Sequence, residues 1–362
     1  MENVLPNLAS SAPLSSDSSI QISGDIEQQF HVPLEPLSQG PLEIQRLSTH
    51  HLFHNEIKDP SVVQVADHLY MMFASVGNSI HQQWIVGRFR ALSLQGPWEE
   101  IEPVKFKDLR GAQLCAPAVT YEADDKEAPW KMYIQDACFV PGSVIAYATS
   151  KDGRVFTGQP HPLATKDSVD ARPNDVIGVY DAGISEIKSG KEELLCLLYS
   201  GYRKIGCGDL YVSTKNKRDL AAKWSRGSCL LQQEQVPFHN RPDSEYFEWG
   251  LEGAKIVQLS HDCFLLIGVS FLPQPNEFAG KRQRVFWAGA RDLQGPYVPI
   301  GLPLYPSGLD RAGENGHSDT FIDGDYLWLI YQERLGASEP WGLRYAKYEI
   351  GIVEQMLREK LV

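Results

Sequence analysis

The sequence predicts an all-β, five-bladed β-propeller with four-stranded blades and a short C-terminal helix. Three observations carry that prediction. A short polar or small motif returns five times along the 362 residues at near-constant spacing. A strongly apolar strand follows each copy after a turn. An outer-edge signature occurs twice, as Leu94-Gln95-Gly96-Pro97-Trp98 and Leu293-Gln294-Gly295-Pro296-Tyr297. A supersecondary unit repeated at fixed period, with several short strands per copy, is the pattern of propeller blades.

The five openings are Asp59-Pro60-Ser61, Ala116-Pro117-Ala118, Asp181-Ala182-Gly183, Glu252-Gly253-Ala254 and His317-Ser318-Asp319. Each continues as an alternating strand. Turn chemistry then appears at Ala66-Asp67-His68, Ser189-Gly190-Lys191, Ser260-His261-Asp262 and Asp323-Gly324-Asp325. The second strands are expected at 69–73, 130–134, 194–199, 263–269 and 326–331, where aromatic and β-branched residues favour strand over helix. Third strands are expected at 145–150, 209–214, 285–290 and 343–348. Trp98, Trp224 and Tyr297 fall at outer positions and read as blade packing. Only 349–361 has a helical pattern. The expected organisation is therefore a disordered tail over 1–30, rich in Ser, Pro, Asn and Gln, a propeller over 31–350, and a helical tail over 351–362.

The composition is that of a globular protein, 43% hydrophobic and 22% charged, so a large core is available. The formal net charge of −12 repels phosphate backbones and anionic lipid. Nucleic acid and membrane are therefore not expected partners, whereas a neutral oligosaccharide is. There is no basic start followed by an apolar run, and no apolar segment of membrane-spanning length, so a cytoplasmic protein is expected. The six cysteines form no C-x-x-C pair. Cys115, Cys196 and Cys263 sit in apolar runs and read as reduced, structural thiols, although the even count leaves disulfides open.

In a propeller the first strand of each blade lies nearest the axis, so the residues opening those strands converge on the central channel. Those positions hold Asp59, Ala116, Asp181, Glu252 and His317. Three carboxylates gathered at one mouth raise each other's pKa and work against stability, which favours a functional role. Taken singly, Asp59 could merely start a turn before Pro60, and His317 could be a satisfied core histidine. Asp181 is preferred over Asp170 and Asp175, and Glu252 over Glu245 and Glu248, because only these open a repeat. Aromatic faces cover sugar C–H surfaces. Trp249, Trp84, Phe139 and Trp287 are the candidates for that work.

The pattern resembles glycoside hydrolase family 43, five-bladed enzymes acting on arabinose- and xylose-containing glycans. The resemblance covers roughly residues 50–348 and rests on five motifs in order: Asp59-Pro60, Ala116-Pro117, Asp181, Glu252-Gly253 and Gly316-His317. It implies single-step inversion, with Asp59 as general base, Glu252 as general acid and Asp181 as the group that aligns the acid and modulates its pKa. The blade-five position of His317 favours a role in substrate binding. The resemblance also admits a calcium ion on the axis, held by His317 directly or through water, with no cofactor otherwise required. Two departures stand out. Asp181 is followed by Ala-Gly rather than Pro-Ser, and Gly253 by Ala254 rather than Pro. They leave the sub-group and the sugar open, and keep two alternatives in play: a sugar-binding propeller without catalysis, and a phosphorylase of a related propeller family.

Overall fold

The computed structural model describes residues 26–47, 55–78, 83–109, 114–136, 142–169, 176–190, 192–204, 207–219, 221–239, 250–272, 282–304, 313–336 and 338–361. Two short strands, β1 (Ser38–Pro41) and β2 (Ile44–Gln45), precede the first blade. Blade one consists of β3 (Glu56–Ala66), β4 (Leu69–Asn78), β5 (Gln83–Ala91) and β6 (Trp98–Ile101), with β2 added in parallel beyond β6. Next in the chain, β7 (Lys105–Lys107) becomes the parallel outer strand of blade two. The rest of that blade is β8 (Cys115–Tyr121), β9 (Trp130–Asp136), β10 (Val144–Ser150) and β11 (Val155–Gly158). Blade three is β12 (Gly178–Ser189), β13 (Glu192–Lys204), β14 (Cys207–Asn216) and β15 (Ser228–Leu231). Blade four is β16 (Glu252–Ser260), β17 (Cys263–Leu272), β18 (Arg282–Ala290) and β19 (Val298–Gly301). Blade five has β20 (Glu314–Asp323), β21 (Tyr326–Arg334) and β22 (Gly342–Glu349), and helix α1 (Ile350–Lys360) follows it.

The fourth strand of blade five is β1. It pairs antiparallel with β22, placing Gly40 opposite Tyr345, so the start of the described chain closes the ring. The first strands β3, β8, β12, β16 and β20 contact one another around the axis.

The second strands read as continuous apolar runs because both of their faces are covered. Successive side chains point to opposite faces of a strand. Along β4, Met71 and Phe73 therefore enter the core against blade two, while Met72 and Ala74 enter the core against blade five. Along β13, Leu195, Leu197 and Tyr199 face blade two, and Cys196 and Leu198 face blade four. One apolar layer lies at each of the five blade interfaces. The paired outer edges are equivalent too. Gly96-Pro97 and Gly295-Pro296 are both cis, and Trp98 and Tyr297 are buried beside them.

Two expectations need correction. The segment expected to be disordered includes residues 26–30, and these are docked. A helical turn over 26–29 buries Glu27, whose Oε1 accepts from Arg284 Nε at 3.0 Å and Nη2 at 2.6 Å and lies 3.0 Å from Arg282 Nη1. Burying these arginines without a carboxylate would cost several kcal/mol. Phe30 adds apolar contact with Phe238 at 5.3 Å between ring centroids. Cys115 is disulfide-bonded rather than reduced, whereas Cys196 and Cys263 are buried free thiols. Among the described residues no helix is long and apolar enough to cross a membrane.

Candidate active site

The site begins with a defect built into every first strand. The antiparallel ladder slips between Lys58 and Ser61, Cys115 and Ala118, Tyr180 and Gly183, Glu252 and Lys255, and Asn315 and Ser318. Such a bulge kinks the strand and re-aims its side chains. Four of the bulges hold a left-handed residue: Asp59 at φ 52°, Ala116 at 48°, Asp181 at 50° and Gly253 at 57°. For a non-glycine residue this conformation costs roughly 1–3 kcal/mol and persists only where neighbours over-determine it. The neighbours are polar side chains on the second strand of the preceding blade. Gln332 Oε1 accepts from Asp59 N at 3.0 Å, Ser75 Oγ from Ala116 N at 2.8 Å, and Gln135 Oε1 from Asp181 N at 3.3 Å.

The bulges also correct the repeat alignment. The residues equivalent to Asp59 are Ala116, Asp181, Gly253 and Gly316, so Glu252 stands one residue ahead of the frame and His317 one residue behind it. The offset brings both side chains onto the acids. An added Cβ on Gly253 would lie 2.3 Å from His317 Cδ2, so the glycine after Glu252 is what lets the imidazole lie across it. Blades three and four approach as closely at Gly183, where an added Cβ would lie 1.9 Å from the carbonyl oxygen of Ala254. That close approach accounts for the glycine following Asp181-Ala182.

His317 is the hub. Its Nδ1 is 2.5 Å from Asp59 Oδ1, and its Nε2 faces Asp181 Oδ2 and Glu252 Oε2, each at 3.5 Å. The contacts on the two ring nitrogens, joined across an imidazole about 2 Å wide, hold Asp59 Oδ1 and Glu252 Oε2 within roughly 8 Å of each other. All four side chains are buried. Tyr202, from β13, donates its hydroxyl hydrogen to Glu252 Oε1. Lys58 Nζ lies 3.9 Å from Asp59 Oδ2 and 4.4 Å from the centroid of the Trp84 ring.

Burial alone would raise the Asp59 pKa. The charges of Lys58 and His317, with hydrogen bonds from His317 and Ser75, outweigh burial and hold this carboxyl well below the usual range. Asp181 goes the other way. Burial first, then the charges of Glu252 and Asp59, push it up to about 7 against the pull of His317. Burial works against a charged His317, but Asp181 and Asp59 overcome it and hold the imidazole protonated well above its ordinary value. The acids are thus divided around one cation: a firmly ionised carboxylate on one side, and a carboxyl that keeps a proton near neutrality on the other.

Asp181, Glu252 and His317 offer ligand atoms within 4.8 Å of one another, a spacing an ion could share. The set does not suit calcium. Calcium takes six to eight oxygens, and here one of three donors is an imidazole already engaged with Asp59. The axial cavity, about 30 Å³, is lined by Asp59, Asp181 and His317 together with Ser61, Lys255 and Ser318. It carries its own cation in Lys255, whose Nζ is 2.5 Å from Asp319 Oδ1.

Of the residues read from the sequence, the structure brings together Asp59, Asp181, Glu252 and His317. Trp84 stands half-buried beside Lys58. Trp249 and Phe139 lie outside the described residues. Trp287 is corrected: it is fully buried in the core between blades four and five, its ring 5.1 Å from that of Tyr348, and has no face to offer a sugar. Tyr202 was not foreseen. The register of the β12–β13 hairpin, which pairs Gly178 with Tyr202, sets it beside the blade-three opening, but its contact with Glu252 crosses to the next blade. Lys58 was legible only as the neighbour of Asp59.

Fold and site together define a five-bladed propeller with buried acids gathered on its axis. No family model matches the sequence, and no curated protein matches it. Solved structures do. A GH62 hydrolase in complex with xylotriose matches with a TM-score of 0.58 and 16% identity over 85% of this chain and 95% of that one. A thermostable family-43 glycoside hydrolase gives 0.55 and 16% over 88% and 91%. An endo-arabinase from Bacteroides thetaiotaomicron gives 0.56 and 14% over 81% and 94%. Across such identities the likeness is one of fold: this chain has the propeller fold of those glycoside hydrolases.

Proposed function

We propose that the protein is a glycosidase that cleaves O-glycosidic bonds of a neutral oligosaccharide by single-step inversion. The observation that carries the reading is the division of three buried carboxyls around His317. Asp59, ionised at any working pH, is the base that takes a proton from the attacking water. Glu252, on the other side of the imidazole, is the acid that protonates the departing oxygen. Asp181, beside it across the imidazole Nε2, keeps a proton near neutrality. Inverting enzymes place their two carboxyls roughly 6.5–9.5 Å apart so that water fits between them, a span compatible with the bound set by His317. The fold likeness to hydrolases solved with xylotriose or described as arabinases supports a pentose-containing glycan as first substrate.

The test is sugar release from aryl β-xylosides, α-arabinofuranosides and β-galactosides, with the anomer of the first product read by NMR. Asp59→Ala and Glu252→Gln are each expected to lower kcat by at least about 100-fold, the usual scale of a lost acid or base. Either variant remaining within tenfold of wild type removes that residue from the mechanism. Binding of oligosaccharide without turnover on the whole panel replaces the reading with a sugar-binding propeller.

A further inference from the structure

We infer that Tyr202 is a positioning residue that fixes the orientation of the Glu252 carboxyl, holding Oε2 on the side of Asp181 and His317. The inference rests on the reading of Glu252 as the acid. A carboxyl has two oxygens, and its terminal torsion is broad and twofold, so an unrestrained acid spends much of its time with its proton turned away. Glu252 is restrained. Oε1 accepts the phenolic hydrogen of Tyr202, while Oε2 lies 3.5 Å from His317 Nε2, on the side shared with Asp181. With Oε1 holding the phenolic hydrogen, the carboxyl is kept from turning over, and Oε2 stays on the side of Asp181 and His317.

Tyr202 is itself held firmly. Its ring is buried and meets Tyr180 edge-on, with centroids 4.5 Å apart. An added Cβ on Gly208 would lie 3.2 Å from the Tyr202 ring, and one on Gly178 would lie 3.3 Å from that of Tyr180, so both rings pack against glycine backbone. Burial, and then the charge of Glu252, hold the phenol well above its ordinary pKa, so it remains a donor throughout the working range. Among the described residues, the titratable groups facing Glu252 are Tyr202 from β13, Tyr180 and Asp181 from β12, and His317 from β20, with Asp59 behind the imidazole.

Tyr202→Phe keeps the ring and removes one hydrogen. On glycosides with poor leaving groups, kcat is expected to fall about 10- to 100-fold, part of the worth of a general acid. On dinitrophenyl glycosides, whose leaving group departs without a proton, the loss shrinks to about threefold or less. The basic limb of the kcat–pH profile moves up, because a carboxylate that loses a hydrogen-bond donor binds its proton more tightly. Equal losses on both leaving groups with an unmoved limb, or no loss at all, overturn the inference and leave Tyr202 a packing residue. If the variant does not fold, 3-fluorotyrosine incorporated in the otherwise unchanged chain probes the same bond. Its more acidic phenol is a stronger donor and moves the limb down, and an unmoved limb is again fatal. A wild-type protein that releases no sugar from any glycoside defeats the hydrolase reading, and this inference with it. An active wild type indistinguishable from Tyr202→Phe defeats the inference alone.

Discussion

Blades two and three open on nearly the same backbone and carry opposite chemistry. Ala116 and Asp181 sit in equivalent bulges, with φ of 48° and 50°. Each donates its N–H to a polar side chain of the preceding blade, Ser75 and Gln135 respectively. One side chain is a methyl group and the other a carboxyl pushed up to about 7. Strained backbone at an active site is often read as part of the mechanism. Here the strain occurs with and without a functional group, so it belongs to the architecture. The bulge supplies an aimed position at every blade, and the side chain placed there decides whether it is used.

The largest effect expected from that comparison comes from making blade three resemble blade two electrostatically. Asp181→Asn keeps the shape and removes the titration. We expect kcat to fall about 100-fold, a typical loss when an acid–base pair loses its tuning partner. Stability is expected to move the other way, with a pH signature. A carboxyl whose folded pKa is raised carries no penalty below its unfolded value near 4, and the penalty is complete above about 7. At about 1.4 kcal/mol per unit this amounts to a few kcal/mol. Asp181→Asn should therefore melt above wild type at pH 8, by a margin that shrinks toward pH 5. A margin that ignores pH would mean that Asp181 does not titrate as described.

Gly253→Ala tests the opening of blade four. The new methyl meets His317 Cδ2 at 2.3 Å on a backbone of φ 57°, so either the imidazole or the bulge must move. A displaced His317 loosens Asp59 and Glu252 together. The expected result is about a tenfold loss in kcat/KM with a destabilisation of roughly 2 kcal/mol. Unchanged kinetics would show that the hub position of His317 is dispensable.

Much of this was legible beforehand, for definable reasons. Second strands buried on both faces read as apolar runs, so β4, β9, β13, β17 and β21 fell where expected. The Gly-Pro-aromatic edges were visible because a turn and a buried ring constrain residue type. The carboxylates were visible as a set because each opens a copy of the repeat. The one-residue offsets of Glu252 and His317 were not, since a bulge changes register without changing composition. Nor was the closure by β1, whose sequence Ser-Gln-Gly-Pro has no strand pattern and is tolerated only because it lies at a sheet edge. Glu27 read as part of a polar tail because its partners, Arg282 and Arg284, are more than 250 residues away. A distance of that kind in sequence leaves no local signal.

The converse substitution, Ala116→Asp, has the smallest expected effect and isolates charge from shape. Blade three already shows that this bulge accepts an aspartate at φ 50°. Ala116 also lines the small axial cavity, which offers an added carboxyl room for about one water. What it adds is a further like charge near Asp59, Asp181 and Glu252. At an effective dielectric constant of about 20, repulsion of this kind within one site is worth on the order of 1–2 kcal/mol. It exists only when the new group is ionised. Ala116→Asp should therefore melt close to wild type near pH 4 and fall progressively below it toward pH 8, with little change of the gap in high salt because the charges are buried. A deficit already complete at pH 4 would locate the cost in packing, and the two bulges would then differ in the room they leave as well as in the charge they carry.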